Sequence, residues 1–491
     1  MTEIDSFAAD LLFVSIAIVA AVFSNRLSAA IRIPAPALFL IVAAVLARLF
    51  PALASLPRSV DESLVTIALV FILFDGGMHI GWKRFRESLG AITLLGIAGT
   101  LLTAAAIAAV AYFLFGFDLR LALLLGAALS PTDPAVVFSV LGKREIAGRT
   151  GTILEGESGA NDPVGIALLV SILAVDGTGT GAVWTGLGEF GLQLVVGTAV
   201  GVAGGYGLGK LMRHVPLPNE ALYSVRTVAC ATLVYGAATL LHGSGFLAVL
   251  LVGIMVGDTH APFKREIRRF SSGLATIAEI AAFSILGLTV PLADVFEPDV
   301  LWPGLAIAAL LIFVVRPVLL GLLLVPIRLR LGERAFVLWA GLKGAVPILL
   351  GMFILGANIP GARRGYAVIF VVVLVSVVLQ GGLVPLFARL FRVPTTVIEP
   401  EPWASGLRFR QRPEGLSEYV VAAGSVADGS TIDELRLGDE GWVSLVRRDG
   451  KLVQVRGRTR LREGDVVLAL GAANDHLDRI FGAAGATGAV E

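Results

Sequence analysis

The run Ser130-Pro131-Thr132-Asp133-Pro134 lies in the middle of an apolar stretch, near 119–141, long enough to cross a bilayer. Two prolines three apart cannot both sit in a regular helix, because each removes a backbone donor and clashes with the preceding turn. Each also pushes the residue before it, here Ser130 and Asp133, away from helical geometry. The sequence therefore predicts a membrane helix that breaks midway. Bare backbone at that depth is tolerated only where it lines a cavity or is buried in protein. The next apolar stretch carries Glu157-Ser158-Gly159-Ala160-Asn161-Asp162-Pro163. Ionisable groups in such surroundings are expensive and by default mark an ion or proton path.

The remainder of the chain reads as a polytopic membrane protein. Of its 491 residues, 56% are hydrophobic and 16% charged. Apolar runs predict about thirteen spans, near 7–24, 34–54, 62–80, 89–115, 119–141, 152–175, 183–210, 221–241, 243–257, 272–292, 301–325, 335–357 and 365–388. Residues 1–10 are acidic and lack the basic flank of a cleaved signal, so the first span is expected to remain. The single cysteine, Cys230, cannot form an intrachain disulfide and reads as a small packing residue.

The net charge of +1 says nothing about partners, because the charges are segregated by loop. Alternate loops carry Arg26 and Arg32; Lys83, Arg84 and Arg86; Lys143, Arg144 and Arg149; Lys210 and Arg213; Lys264, Arg265, Arg268 and Arg269; and Arg328, Arg330 and Arg334. The positive-inside rule assigns these to the cytoplasm, with the amino terminus outside and the tail after Arg392 inside. The loop with Asp294, Glu297 and Asp299 is acidic, and Arg363 and Arg364 depart from the pattern.

A second break is predicted in the twelfth span, at Gly341-Leu342-Lys343-Gly344-Ala345-Val346-Pro347. Its offset of seven spans from the first makes the two breaks run in opposite directions. Paired interruptions in corresponding halves are the signature of an inverted-repeat secondary transporter with its site at the bilayer midplane.

On a helix, Ser158 and Asp162 share one face, and Glu157 and Asn161 the neighbouring one. A hydroxyl and a carboxylate offer oxygen ligands to a desolvated monovalent cation. Burial disfavours the charged form of a carboxylate, so such a group holds a proton or a cation but not both, and that competition suffices for exchange. The half-helix ends bring dipoles of both signs. Asp133 is placed to compensate the amide ends and Lys343 the carbonyl ends. Asp75, in Leu73-Phe74-Asp75-Gly76-Gly77, is either a further ion ligand or an acid near the cytoplasmic end of its span. Arg316 is mid-span and must be paired, with Glu157 as the expected partner.

Other function classes fit poorly. Gly204 to Lys210 approaches a phosphate-binding loop, but Leu211 stands where a hydroxyl is required and the segment ends a membrane span. The histidines at 79, 214, 242, 260 and 476 show no metal spacing, and His79 and His260 read as residues near cytoplasmic helix ends. The glycines at 177, 179 and 181 read as a flexible outer turn. A cation channel would show a pore-loop filter, and an intramembrane enzyme a metal or nucleophile constellation; neither is found.

Three motifs taken together, Thr132-Asp133-Pro134, Glu157-Ser158 with Asn161-Asp162, and Gly341 to Pro347, resemble those of the monovalent cation:proton antiporters, above all the NhaP-type sodium or potassium/proton exchangers. The resemblance covers about residues 7–390. It implies a thirteen-span fold with two crossed broken helices, a homodimer through a separate helix panel, and an elevator-like core motion. It also implies cation ligands at Asp162, Ser158, the Thr132 carbonyl and Asp75, with Glu157 paired to Arg316. Two departures are visible: the third-span acid, often Glu in relatives, is Asp75, and Lys343 stands where relatives usually carry Arg, a point charge without fork geometry. Asn161 is neutral where electrogenic relatives carry a second Asp, which implies electroneutral exchange.

After Pro394 the composition changes. Short alternating runs predict strands over Glu418–Ala423, Trp442–Arg447, about Leu452–Val455 and Asp465–Gly471, with short helices over Thr431–Leu437 and Asn474–Phe481. Val420 to Gly424, Ser430-Thr431 with Leu435, Val446 to Gly450 and Leu461 to Asp465 resemble the TrkA-C domain, the carboxyl-terminal half of regulators of potassium conductance. The nucleotide-binding half that often precedes it has no room in the linker. The expected organisation is an all-α membrane domain over 1–392, a linker over 393–413 and a cytosolic α+β regulatory domain over 414–491. The function expected is potassium/proton antiport in a bacterial-type inner membrane, with sodium/proton exchange, or a regulated cation channel, as the alternative. No enzyme activity, resident cofactor or nucleic-acid partner is expected; membrane lipid, a second copy and, by analogy, a nucleotide on the tail are.

Overall fold

The computed structural model describes residues 34–50, 58–141, 144–146, 148–175, 180–259, 261–290, 292–357, 359–397, 416–435, 437, 442–449, 451–470 and 474–482. The expected first span, Arg26, Arg32, Lys143, Gly177, Gly179, His260 and most of the linker lie outside the described residues. The chain forms two compact units, Met1–Ile398 and Glu399–Glu491.

The first unit begins with α1 (Ala35–Leu49), started by Pro34 and Pro36, whose fixed φ suits a helix's first turn. It continues through α2 (Arg58–Ile80), α3 (Trp82–Phe115), α4 (Leu119–Leu129), α5 (Ala135–Leu141), β1 (Arg144–Ile146), α6 (Arg149–Leu173), α7 (Thr180–His214), α8 (Glu220–Leu240), α9 (Gly245–Gly257) and α10 (Lys264–Leu288). Then come α11 (Pro298–Leu324), α12 (Leu331–Trp339), α13 (Ala345–Gly356), α14 (Ala362–Gly381), α15 (Val384–Leu390) and β2 (Thr395–Val397). Asp118, Asn219 and Ser244 cap α4, α8 and α9 by accepting from the backbone N–H of Arg120, Leu222 and Leu247.

Among the described residues, seven helices are long and apolar enough to cross a membrane: α2, α3, α7, α8, α10, α11 and α14. Four shorter apolar helices, α1, α4, α9 and α13, account for the remaining expected spans other than the first, which lies outside the described residues, and the sixth, α6. That helix has 25 residues, but Glu155, Glu157 and Asp162 interrupt its apolar sequence. The break in the fifth span therefore leaves α4 and α5 as two pieces, and that in the twelfth leaves α12 and α13.

The helices sort into two groups. α1, α2 and α7–α10 pack chiefly on one another and form a panel; α3–α6 and α11–α14 form a core bundle. In the panel, Gly77 of α2 and Gly253 of α9 face the opposite backbone, at Leu250 and Phe74, so closely that no side chain fits at either position. Small residues allow this contact where helices associate by packing rather than by expelling water. In the core, three helices widen to π geometry, at Leu94–Gly99 in α3, Leu311–Leu320 in α11 and Ser376–Gly381 in α14. Such segments recur at functional sites. The first seats α6, with Gly96 against Ala160.

The exception to the charge pattern has a local cause. Arg363 forms a forked pair with Asp294. Arg364 lies 3.4 Å from the Asp299 carboxylate and 4.4 Å above the Phe117 ring. The acidic loop neutralises both arginines.

The second unit is an antiparallel sheet of β3 (Leu416–Val420), β4 (Trp442–Arg448), β5 (Lys451–Val453) and β6 (Val466–Leu470), in the order β3-β6-β4-β5, with the helix α16 (Asn474–Phe481). Tyr419, Val446, Val467, Leu477 and Phe481 fill its core. The strand expected over Glu418–Ala423 ends at Val420, because Ala422 N–H turns away to the Phe481 carbonyl. The helix expected over Thr431–Leu437 is one 3-10 turn, Ile432–Leu435. Asp465, expected to open a strand, anchors the preceding turn instead. It accepts from Arg448 Nε and Nη2, both at 2.7 Å, and from the Arg462 amide at 2.9 Å. Burial pushes its carboxyl up, but the Arg448 fork and the Arg462 amide outweigh that and hold it below the usual carboxylate range.

Candidate functional site

The two breaks meet. α4 stops at Leu129, before Pro131, and α12 stops at Trp339, before Gly341. The extended links cross, and the Asp133 N–H donates to the Leu342 carbonyl at 2.8 Å. Lys343 Nζ donates to the Ser130 and Pro131 carbonyls, at 3.1 and 2.9 Å, covering the carbonyl end of α4. A side chain at Gly344 would collide with the Asp133 carboxylate, which therefore lies against the start of α13. The negative group meets the amide end of a half-helix and the positive group a carbonyl end, as the dipoles favour.

The π segment of α14 holds the other carbonyl end. Ser376 Oγ accepts from the Lys343 N–H at 3.0 Å and donates to Gln380 Oε1 at 2.9 Å. The Gln380 side chain donates to the Trp339 carbonyl. A small cavity beside this break is lined by Thr103, Arg316, Gly341, Lys343, Ser376 and Gln380.

α6 runs past the crossing with Glu157, Ser158, Asn161 and Asp162 all buried. Ser158 Oγ donates to the Thr132 carbonyl at 2.6 Å. Asn161 clamps Thr132 from two sides: Nδ2 donates to Thr132 Oγ1 at 2.7 Å, and Oδ1 accepts from the Thr132 N–H at 3.2 Å. The amide side chain offers that donor and acceptor together without carrying a charge. Asp162 is 8% exposed, and its Oδ1 has no hydrogen-bond partner among the described residues. Pro163 follows it and lacks the N–H that would meet the Gly159 carbonyl one turn back.

Glu157 and Arg316 form a two-point pair, Nη1 to Oε1 at 2.9 Å and Nη2 to Oε2 at 3.2 Å. Arg316 also donates to the Leu338 and Val337 carbonyls, at 2.8 and 3.0 Å, and so covers the end of α12. No side chain fits at Gly341, which abuts the guanidinium.

The crossing thus brings together Thr132, Ser158, Asn161 and Asp162, beside Asp133, Lys343, Glu157 and Arg316. Asp75 is held elsewhere. Its carboxylate accepts from Ser272 Oγ of α10 at 2.9 Å and lies 3.4 Å from His79 Nδ1. It makes no hydrogen bond to Thr132, Ser158, Asn161 or Asp162. Ser272, Ser376, Gln380 and Glu279 were not anticipated. Glu279 had a readable signal, since it is the one ionisable residue between Arg269 and Asp294 in an otherwise apolar span.

The oxygens at the crossing suit a hard monovalent cation. The Thr132 carbonyl and hydroxyl, the Ser158 hydroxyl and the Asp162 carboxylate keep unused lone pairs. Carbonyl oxygens can replace an ion's hydration shell.

Residues 13–390 match the family described as sodium/hydrogen exchanger, transmembrane, and residues 416–482 match the TrkA-C domain. The chain is 39% identical over 334 residues to a protein named K(+)/H(+) antiporter NhaP from Alkalimonas amylolytica. That match spans 67% of this chain and 57% of the Alkalimonas protein. It is 33% identical over 412 residues to K(+)/H(+) antiporter NhaP2 of Shewanella sp. (strain MR-4), spanning 82% of this chain and 71% of that one. Identity to the Na(+)/H(+) antiporter NhaP of Pseudomonas aeruginosa is 29% over 365 residues, or 68% of this chain and 83% of that one. The fold is similar to that of the sodium proton antiporter MjNhaP1 from Methanocaldococcus jannaschii at pH 8. The TM-score is 0.66 at 20% identity, covering 78% of this chain and 98% of that one.

Proposed function

The chain belongs to the sodium/hydrogen exchanger family, and from that premise we propose that it is a secondary antiporter exchanging a monovalent cation for protons, with potassium preferred. The observation that carries the reading is the state of Asp162, a buried carboxylate with an unpartnered oxygen beside the hydroxyls and carbonyl of a helix break. Glu157 is neutralised by Arg316. Asp133 and Lys343, set against half-helix ends of opposite sign, cancel in net charge. Asp162 is then the one carboxylate of the crossing whose charge is left over. With a proton or a monovalent cation bound, the site is neutral. Empty, it carries a charge that the membrane interior penalises. The loaded forms cross and the empty form does not, which is the coupling an antiporter needs.

Asp162, Ser158 and Thr132 are the proposed cation ligands, and Asp75 is a more distant acid of the same pathway. Asn161 is committed to holding Thr132 and carries no charge. One proton therefore exchanges for one cation, and the rate is independent of membrane potential. Potassium is favoured because the relatives at 33–39% identity are named for potassium and the Pseudomonas one, at 29%, for sodium. Protein in liposomes with a pH dye, challenged separately with potassium, sodium and lithium at clamped and unclamped potential, tests this. The expected signal is largest for potassium and unaffected by the clamp. Absence of any cation-dependent proton movement removes antiport, a sodium-only signal exchanges the cation, and strong voltage dependence removes the one-for-one count.

The tail is proposed as a cytosolic regulatory module in a homodimer, with a nucleotide as its candidate ligand. β2, the last strand of the first unit, pairs antiparallel with β1, Arg144 opposite Val397. β1 lies between α5 and the Asp162 helix, so the chain leading to the tail is tied to the segment that joins them. Truncation after about residue 400 keeps that pairing and is expected to leave an active antiporter with a shifted pH–rate or cation profile. A profile identical to that of the full chain removes the regulatory role.

A further inference from the structure

Glu279 lies about halfway along α10, and it makes no hydrogen bond or ion pair among the described residues. It is half-buried rather than sealed. A carboxylate at that depth is costly without a partner and is retained for ion handling more often than for packing. Its neighbours set its direction. α10 packs along α2 and also against α13, which starts beside Asp133. Asp133 acts electrostatically on Glu279 and on Asp162. Seven residues earlier on α10, Ser272 holds Asp75. Seven residues are two turns, so Ser272 and Glu279 share a face about 10 Å apart along the axis. Asp75 and, two turns before Asp162 on α6, Glu155 therefore lie toward the end of the bundle that carries Lys83, Arg149 and Lys264, and Glu279 lies two turns deeper on α10. Asp75 and Glu279 belong to the panel, and Glu155, Asp133 and Asp162 to the core.

We propose that Glu279 is a transit residue for the cation, a fixed panel carboxylate that draws the ion from the basic end of the bundle to Asp162. A dehydrating cation needs compensating charge at each stage of its path, and on α10 Glu279 is the acid two turns deeper than Ser272, which holds Asp75. Its removal lowers the cation's occupancy of the path without touching the oxygens that bind it at Asp162. The effect falls on the half-saturating cation concentration and leaves the rate at saturation.

The proposal rests on the antiport reading, and the test separates the two. Wild type, Glu279→Gln and Glu279→Met are compared in liposomes over a potassium series, with melting temperatures of the purified proteins. Methionine is the second neutral variant, apolar and of similar length in an apolar helix. Both neutral variants are expected to raise the half-saturating potassium concentration roughly fivefold or more. Maximal rate should stay within about twofold, and Glu279→Asp should recover most of the loss. A neutral variant with the wild-type half-saturating value overturns the proposal. So does failure of both neutral variants to fold, because the carboxylate would then be structural. Wild type without potassium-dependent proton movement removes the antiport reading itself.

Discussion

Two arginine–carboxylate pairs of the same chemistry lie at opposite depths. Arg316 and Glu157 meet at the crossing with 7% and 2% of their side chains exposed. Arg363 and Asp294 meet at the rim with 72% and 19% exposed. A unit pair at about 4 Å is worth roughly 1 kcal/mol in water and roughly 4 kcal/mol near a protein surface of lower effective dielectric. At the rim, water replaces a lost partner. At the crossing nothing does, and Arg316 also holds two carbonyls at the end of α12. The buried pair thus serves geometry: it fixes one half-helix against the helix that carries Asp162. The rim pair explains an exception to the charge pattern and contributes little to the fold.

That contrast orders the expected effects. Glu157→Gln strands Arg316 and should cost roughly 3–5 kcal/mol, read as a large fall in melting temperature with a smaller shift in cation affinity. Unchanged stability with altered affinity would make Glu157 a ligand and break the comparison.

The tail pair falls between. Asp465 is 1% exposed and Arg448 24%. Asp465→Asn should weaken β6 by about 1–3 kcal/mol near neutral pH, measured by hydrogen exchange on the full chain. The folded carboxyl lies below its unfolded value of about 3.9, so its stabilisation is complete above that value. It is lost as pH falls through the lower folded value. The difference between variant and wild type should therefore shrink in acid; a difference that grows there contradicts the assignment.

The rim pair should give the smallest response. Asp294→Asn is expected to cost under about 1 kcal/mol, with the melting temperature nearly unchanged and any difference erased by salt. A fall as large as that of Glu157→Gln would show that exposure does not set the scale.

Much of this was legible beforehand, for physical reasons. Pro131, Pro134, Gly341 and Gly344 break helices wherever they occur, so both breaks could be placed. Arg316 in an apolar run needed an acid, and Glu157 was the nearest in character. Other features left little local trace. The π segment in α3 has an ordinary apolar sequence and follows from packing, whereas that in α11 spans Arg316-Pro317, where a donor is missing, and that in α14 carries Ser376 and Gln380. Ser272 and Asp75 are 197 residues apart, so a contact between them has no signature in spacing. Glu279 did leave a trace, as the one ionisable residue between Arg269 and Asp294, but the average of its run remains apolar. In the tail, Tyr419, Val446 and Val467 alternate as strands should, but where β3 ends is decided by its contact with α16.

The central claim is that Asp162 alone carries the charge exchanged between proton and cation. Its most direct test is Asp162→Asn in liposomes, assayed with potassium, sodium and lithium and checked for monodispersity and melting temperature. The account predicts a folded protein, as stable as wild type, that exchanges none of the three. Near-normal antiport of any of them in that variant would contradict it.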